Sequence, residues 1–119
     1  MYAARHGYEL ALHDSVVETE RPPAWSKVQI LRDALDRYDA VVWIDADAAI
    51  VDVSRDVLDE LGRRASIGLV AHRLAGQQIP NSGVVVLRSS RVARRFLDAV
   101  WDRSEYVQHK WWENAAVLD

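Results

Sequence analysis

The sequence predicts an α/β fold in which a mostly parallel sheet is flanked by helices. Apolar runs of strand length alternate along the chain with segments whose apolar residues recur at helical spacing, a pattern typical of layered α/β folds. One run, at residues 41–44, is apolar at every position, as expected for a strand buried on both faces. The 119 residues, half of them hydrophobic, suffice for one domain with a real core. We therefore interpret residues 1–119 as a single domain.

The elements of the first half are predicted in the order helix, strand, helix, strand. Residues 2–7 read as the end of a helix that Gly7 terminates in the left-handed conformation. The alternation at residues 8–13 predicts a strand, and the polar residues 14–23, which close on two prolines, predict a loop. The clearest helix covers residues 24–38, because apolar residues fall on one face and i, i+4 ion pairs on the other. It leads directly into the apolar run.

After the apolar run the sequence predicts a short helix and two more strands. Asp52 or Ser54 is expected to cap the helix, which ends at Gly62. The apolar runs at residues 67–71 and 84–87 predict the strands. Residues 72–80, of mixed polarity, are expected to form the loop between them.

Two helices close the chain. Ser89 or Ser90 is expected to cap the first. Its predicted inner face consists of Val92, Phe96, Leu97, Val100 and Trp101. A second helix is predicted at residues 111–118.

Charge and composition exclude several classes of protein. The net charge of −3, from 15 basic and 18 acidic residues, gives no electrostatic footprint for nucleic acid. The absence of cysteine excludes disulfides and thiolate metal sites. No apolar run approaches the length of a transmembrane segment. Arg5, His6 and Glu9 interrupt any signal-peptide pattern, so we expect a cytoplasmic protein.

Two carboxylates, Asp45 and Asp47, follow the apolar run directly. Acids within apolar sequence are costly to bury unless a cation meets them. If the backbone stays extended, residues i and i+2 point to the same side, and the pair would form an oxygen site for a hard divalent cation. The alternative interpretation is a helix cap or a solvated turn.

Several motifs occur in a fixed order. They are Trp25-Ser26-Lys27-Val28 with Leu31-Arg32, Trp43-Ile44-Asp45-Ala46-Asp47-Ala48, Asn81-Ser82-Gly83, and Trp111-Trp112-Glu113-Asn114-Ala115-Ala116. With the early segment Tyr2-Ala3-Ala4-Arg5-His6-Gly7-Tyr8-Glu9, their order and spacing resemble the galactosyl-, mannosyl- and xylosyltransferases of fungi and plants, glycosyltransferase family 34, with its bacterial relatives. The resemblance covers nearly the whole chain.

The resemblance implies a GT-A fold, which has a Rossmann-like sheet. It also implies a nucleotide-diphosphate sugar donor, a saccharide acceptor, and transfer that retains the anomeric configuration. Asp45 and Asp47 match the family's D-x-D motif, which holds Mn²⁺ or Mg²⁺ on the donor diphosphate. Lys27 and Arg32 match basic helix positions that the family places near the donor. Solvated helix charges are the alternative for these two residues.

The same resemblance assigns the sugar-binding side of the site. Asn81 and Gly83 match the N-x-G segment that lines the sugar pocket, with a simple strand-entry turn as the alternative. Glu113 and Asn114 match the acid–amide pair on the reacting face of the sugar, although the family's usual amide is Gln. The two tryptophans that precede Glu113 are expected to wall the sugar. The alternative for Glu113 is a first-turn helix glutamate.

The chain also departs from the family pattern at both ends. The strand that cradles the nucleotide base and a late histidine, a further metal ligand, have no counterparts here. These departures predict a domain truncated at both ends, with an exposed sheet edge and a tendency to self-associate.

Two other functions compete with glycosyl transfer. An inactive remnant that serves as a binding or assembly module would carry the same motifs. A haloacid-dehalogenase-like phosphohydrolase also places D-x-D after a buried strand. That class needs Thr or Val where this chain has Ala49, and a later Asp-Asp pair that this chain lacks.

Overall fold

The computed structural model describes residues 1–17 and 19–119. Within them the chain forms five α-helices, two 3-10 turns and one three-stranded sheet. The helices are α1 (Tyr2–His6), α2 (Ser26–Leu35), α3 (Val57–Leu61), α4 (Arg91–Asp102) and α5 (Trp112–Leu118). The strands are β1 (Ala40–Ile44), β2 (Ile67–Leu74) and β3 (Gln77–Arg88), and the 3-10 turns cover Pro23–Trp25 and Ser104–Tyr106.

The sheet is antiparallel, so the predicted mostly parallel, Rossmann-like GT-A sheet is wrong. Its order is β1-β3-β2, and the central strand β3 runs opposite to both neighbours. The reversal occurs at Ala75 and Gly76, which have φ values of 50° and 82°. Two consecutive residues with positive φ form the tight turn that joins antiparallel strands. The residues at 72–80 are therefore strand ends and a turn rather than a loop.

The strand predicted at residues 8–13 is also absent from the described residues. Leu10 and Leu12, two of the alternating apolar residues, are 71% and 85% exposed. The third, Tyr8, donates a hydrogen bond from its hydroxyl to Asp56. The alternating apolar residues at 8–13 therefore do not pack on a sheet.

The core lies between one face of the sheet and the helices α2 and α4. Its buried residues are Trp25, Val28, Leu31, Leu35, Val85, Leu87, Ala93, Leu97, Val100 and Ala116. Helix α4 differs in phase from the prediction, because Val92 is 60% exposed and Ala93 is fully buried. Ser90 caps α4 by accepting a hydrogen bond from the Ala93 amide at 3.1 Å, and the helix presents Ala93, Leu97 and Val100 to the core.

Helix α3 is tied to the N-terminal helix by one carboxylate. Asp56, rather than Asp52 or Ser54, caps α3 and accepts a hydrogen bond from the Leu58 amide at 2.9 Å. The same carboxylate accepts from the Tyr8 hydroxyl. The predicted terminators Gly7 and Gly62 do end α1 and α3.

Candidate functional site

A cavity of about 670 Å³ opens beside the end of β1 and the middle of β3. Its floor comes from α2, β1 and β3, and its walls come from residues 13–16, the β2–β3 hairpin and residues 110–114. The predicted site residues that line it are Lys27, Asp45, Asn81, Gly83, Glu113 and Asn114. Arg32 and Asp47 lie outside it.

Lys27 is a buried cation at the floor of the cavity. Its side chain is 7% exposed, and its ammonium nitrogen lies 3.0 Å from each of Asp45 Oδ1, Glu113 Oε1 and the Ser82 carbonyl oxygen. These three oxygens match the three protons of the ammonium group. Glu113 is only 5% exposed, so each buried charge has the partner that burial requires. Of the two interpretations for Lys27, the structure therefore excludes a solvated helix charge.

Asp45 and Gly83 approach each other closely across the β1–β3 pair. The Asp45 amide donates to the Gly83 carbonyl at 2.8 Å, and Asp45 Oδ1 accepts from the Trp43 indole at 2.5 Å. A Cβ atom on residue 83 would lie 2.7 Å from Asn81 Oδ1 and 3.4 Å from Asp45 Oδ2. Only glycine leaves room for this arrangement.

Ser82 connects these groups, although the sequence did not single it out. It is 4% exposed, and its hydroxyl donates to Glu113 Oε1 at 3.0 Å. Its amide donates to Asn114 Oδ1 at 2.9 Å, and its carbonyl accepts from Lys27. The available signal was its position between Asn81 and Gly83 in the N-x-G segment.

The structure separates Asp47 and Arg32 from the other predicted residues. Strand β1 ends at Ile44, and the Ala48 amide donates to the Asp45 carbonyl at 3.0 Å. The backbone therefore turns instead of staying extended, and Asp47 is exposed. Arg32 forms an ion pair of 2.8 Å with Asp98, and both side chains are more than a third exposed.

Arg21 packs against two tryptophans of the helical layer. Its guanidinium lies 3.8 Å from the centre of the Trp101 ring and 4.8 Å from that of Trp25. It also donates to the Trp101 carbonyl at 2.7 Å. Nearby, the Val17 amide donates to the Ser26 hydroxyl at 3.2 Å. These contacts hold Val17 and Arg21 against the helical layer.

Across residues 1–17 and 19–119, no group of three or more His, Asp or Glu side chains is arranged to hold a metal ion. Asp45 and Asp47 remain the acidic groups nearest the end of β1. Mg²⁺ is commonly bound by one or two carboxylates together with substrate phosphates. Asp45 fits that pattern as a single carboxylate, whereas the turn after β1 separates Asp47 from it. In the same described residues, no helix is long and apolar enough to cross a membrane.

Comparison with known proteins gives two matches. The sequence model of the galactosyl transferase GMA12/MNN10 family matches residues 1–71. An alpha-1,2-galactosyltransferase of Schizosaccharomyces pombe (strain 972 / ATCC 24843) is 26% identical in an alignment of 145 positions, gaps included, that covers 91% of this chain and 38% of the relative. The chain thus spans well under half the length of that relative. No solved structure is significantly similar to the chain.

Proposed function

Because the chain belongs to the galactosyl transferase GMA12/MNN10 family, we propose that its cavity binds a nucleotide-diphosphate sugar. In this proposal the protein is a glycosyltransferase that moves a hexose or pentose to a saccharide acceptor. The observation that carries it is the Lys27 ammonium, held between the carboxylates of Asp45 and Glu113 at the floor of the cavity.

Lys27 is placed to act on the donor diphosphate through its charge rather than by direct hydrogen bonds, because Asp45, Glu113 and the Ser82 carbonyl already accept its three protons. A sugar that leaves its nucleotide transfers negative charge to the diphosphate, and a fixed cation in a partly dry site stabilises that charge. The ammonium is already held in place by its three oxygen partners, so little reorganisation is needed when charge develops. Asn81 and Gly83 both line the cavity and would contact the sugar.

Glu113 is suited to stabilise the sugar during transfer. In a reaction that retains the anomeric configuration, the sugar acquires oxocarbenium character, and a nearby carboxylate stabilises it. Glu113 lines the cavity while Lys27 and Ser82 hold its Oε1. We propose that Asn114 acts as a positioning residue, because its Oδ1 accepts from the Ser82 amide.

We also propose that Asp45 holds Mn²⁺ or Mg²⁺ together with the donor diphosphate, and that Asp47 joins it when the turn after β1 rearranges on binding. When bound, such an ion would neutralise part of the charge on the leaving group. Asp45 Oδ1 is shared by Lys27 and Trp43, which leaves Oδ2 for the ion.

Calorimetric titration with UDP-galactose and GDP-mannose, each with Mn²⁺, tests the donor site. We expect one of them to bind, and Asp45→Asn to weaken binding at least tenfold, about 1.4 kcal/mol. Asp98→Asn is the matched control, because Asp98 pairs with Arg32 outside the cavity. If both variants bound the donor as tightly as the parent, Asp45 would not belong to a donor site.

A second candidate, an inactive binding module, is favoured by one observation. Lys27 pairs with one oxygen of Asp45 and one oxygen of Glu113, and the Ser82 amide donates to Asn114. The proposed catalytic groups therefore also hold the fold together. Glu113→Gln distinguishes the two functions. In an active enzyme it should lower turnover at least tenfold and leave nucleotide binding nearly unchanged. A chain that binds the donor but releases no product would favour the binding module.

A further inference from the structure

Two tryptophans, Trp111 and Trp112, stand at the rim of the cavity and are 49% and 47% exposed. Exposed aromatic side chains that line a cavity mark ligand-binding surfaces. Their backbone is firmly tied. The Trp111 amide donates to His109 Nδ1 at 3.2 Å, and the Trp112 amide donates to the His109 carbonyl at 2.9 Å. The Trp111 carbonyl accepts from the Asn114 amide at 3.0 Å.

Trp112 also has an unusual backbone conformation, with a φ of 43°. Positive φ is rare for a bulky residue, and such conformations persist where the surroundings impose them, often at ligand sites. Together with the hydrogen bonds around it, this conformation fixes the backbone from which the ring extends. A ligand that stacks on the ring therefore need not order the main chain on binding.

The surroundings of the two rings combine apolar and amide groups with one cation, Lys110, whose ammonium lies 5.1 Å from the centre of the Trp111 ring. Ile79 and Leu118 line the cavity, as do the amide side chains of Asn81 and Asn114. A pyranose ring has an apolar face of C–H groups and a border of hydroxyls, so it can stack on an indole while the hydroxyls bond to amides. A diphosphate instead needs the buried cation at the floor.

We propose that Trp111 and Trp112 form a platform for the acceptor saccharide, which binds there as a neutral pyranose ring. This inference rests on the proposed glycosyl transfer, in which the donor diphosphate occupies the floor. The platform faces solvent, from which an acceptor must enter, and it directly precedes Glu113, beside which the sugar would react. The acceptor is thus recognised independently of the nucleotide.

Saturation-transfer NMR with methyl α-D-galactopyranoside and methyl α-D-mannopyranoside, without nucleotide or metal, tests the platform. We expect millimolar binding of at least one glycoside. Trp111→Ala and Trp112→Ala should each weaken it at least fivefold, and Trp111→Phe should retain most of it. Tyr38→Ala is the matched control, because Tyr38 is a 38% exposed aromatic residue away from the cavity. Circular dichroism verifies the fold of each variant.

Binding of UDP-galactose and GDP-mannose to the same samples separates this inference from the proposed function. If a nucleotide sugar binds and neither glycoside does, the platform is wrong and the donor site stands. If a glycoside binds through Trp111 and no nucleotide sugar binds, the platform stands and the donor site is wrong. If Trp111→Ala weakens only the nucleotide sugar, the rings hold the donor sugar, and the acceptor assignment is overturned.

Discussion

Lys27 shows how differently two ion pairs of one helix act. Arg32, on the same helix, pairs with Asp98 where both side chains are more than a third exposed, and such pairs contribute about 0–1 kcal/mol. Lys27 and Glu113 are almost fully buried, so neither can turn to water if its partner is lost. The residue central to the proposed function therefore also stabilises the fold.

We expect Lys27→Met to lower the free energy of unfolding by about 3–5 kcal/mol, because Glu113 loses its cation while it stays buried. Urea denaturation measures the change. Adding Glu113→Gln should restore part of the loss, because an uncharged amide is cheaper to bury. Arg32→Met is the control, with a change below about 1 kcal/mol. If Lys27→Met and Arg32→Met lowered the free energy of unfolding equally, the buried pair of Lys27 and Glu113 would be refuted.

The contact between Tyr8 and Asp56 links stability to pH. The hydrogen bond from Tyr8 is the main cause that lowers the pKa of Asp56 below its ordinary 3.8. Burial, followed by the same hydrogen bond, raises the pKa of Tyr8 above its ordinary 10.0. Asp56 therefore contributes stability that is present above its unfolded pKa and lost as the pH falls through its folded pKa. Tyr8 contributes stability that is present below its unfolded pKa and lost as the pH rises through its folded value.

We expect Tyr8→Phe to flatten both limbs of the pH–stability curve, since it removes the hydrogen bond that shifts both pKa values. Thermal unfolding followed across the pH range measures both limbs. On the acid side, the parent and Tyr8→Phe should differ in their pH dependence below about pH 4. Ser90→Ala is the control: it removes the cap of α4, lowers stability by about 1 kcal/mol at every pH, and leaves the slope unchanged. An unchanged acid limb in Tyr8→Phe would contradict the assignment.

At the scale of elements, the direction of the sheet depends on one two-residue turn. Ala75 and Gly76 are exposed and both have positive φ. Asn-Gly is the pair that favours such a turn most, and alanine is a poor choice at its first position. The turn is therefore weaker than it could be, and this weakness can be measured.

We expect Ala75→Asn to raise the free energy of unfolding by about 0.5 kcal/mol, because Asn tolerates positive φ better than Ala. Gly76→Val should lower it by about 1–2 kcal/mol, since a β-branched side chain is strained at φ > 0. Ala71→Asn, at an exposed position within β2, is the control and should not stabilise. Chemical denaturation that gave stabilisation for both Asn variants would rule out the turn as the cause.

The helices of this fold could be predicted from the sequence, whereas the direction of β3 could not. The 3.6-residue spacing around Leu31 and the cap at Ser90 depend on neighbouring residues, so α2 and α4 were predictable. The apolar runs located three strands, but the direction of a strand depends on the connection before it. Ala75-Gly76 is not a typical turn pair, and no other signal indicated that β3 reverses.

At the scale of the whole molecule, the site combines what motifs could predict with what they could not. The order of the motifs pointed to Lys27 and Glu113, which are 86 positions apart. It did not show that they neutralise each other, or that Ser82 lies between them, since such contacts depend on the packing of α2, β3 and α5. Asp47 was expected beside Asp45, but a turn that the D-x-D pattern does not specify moves it outward.

Self-association of the chain stays a prediction, and the sheet shows where to test it. Strand β2 is an edge strand with Val70 and Leu74 43% and 56% exposed, and exposed apolar edges favour pairing between chains. We expect concentration-dependent association in analytical ultracentrifugation, reduced by Val70→Lys. Val92→Lys, at an exposed apolar position on α4, should change it less. A monomer at all concentrations would argue against the edge as a contact.

The division of the cavity into floor and walls has a practical consequence for directed evolution. Strand β3 carries Ser82 and Gly83 at the floor and, a few residues on, Val85 and Leu87 in the core. Random libraries at the floor would therefore yield many unfolded variants. The walls at residues 13–16 and at His72 and Leu74 of the hairpin lie outside the core cluster and can be varied more freely. New sugar preferences should be sought there first, with β3 left intact.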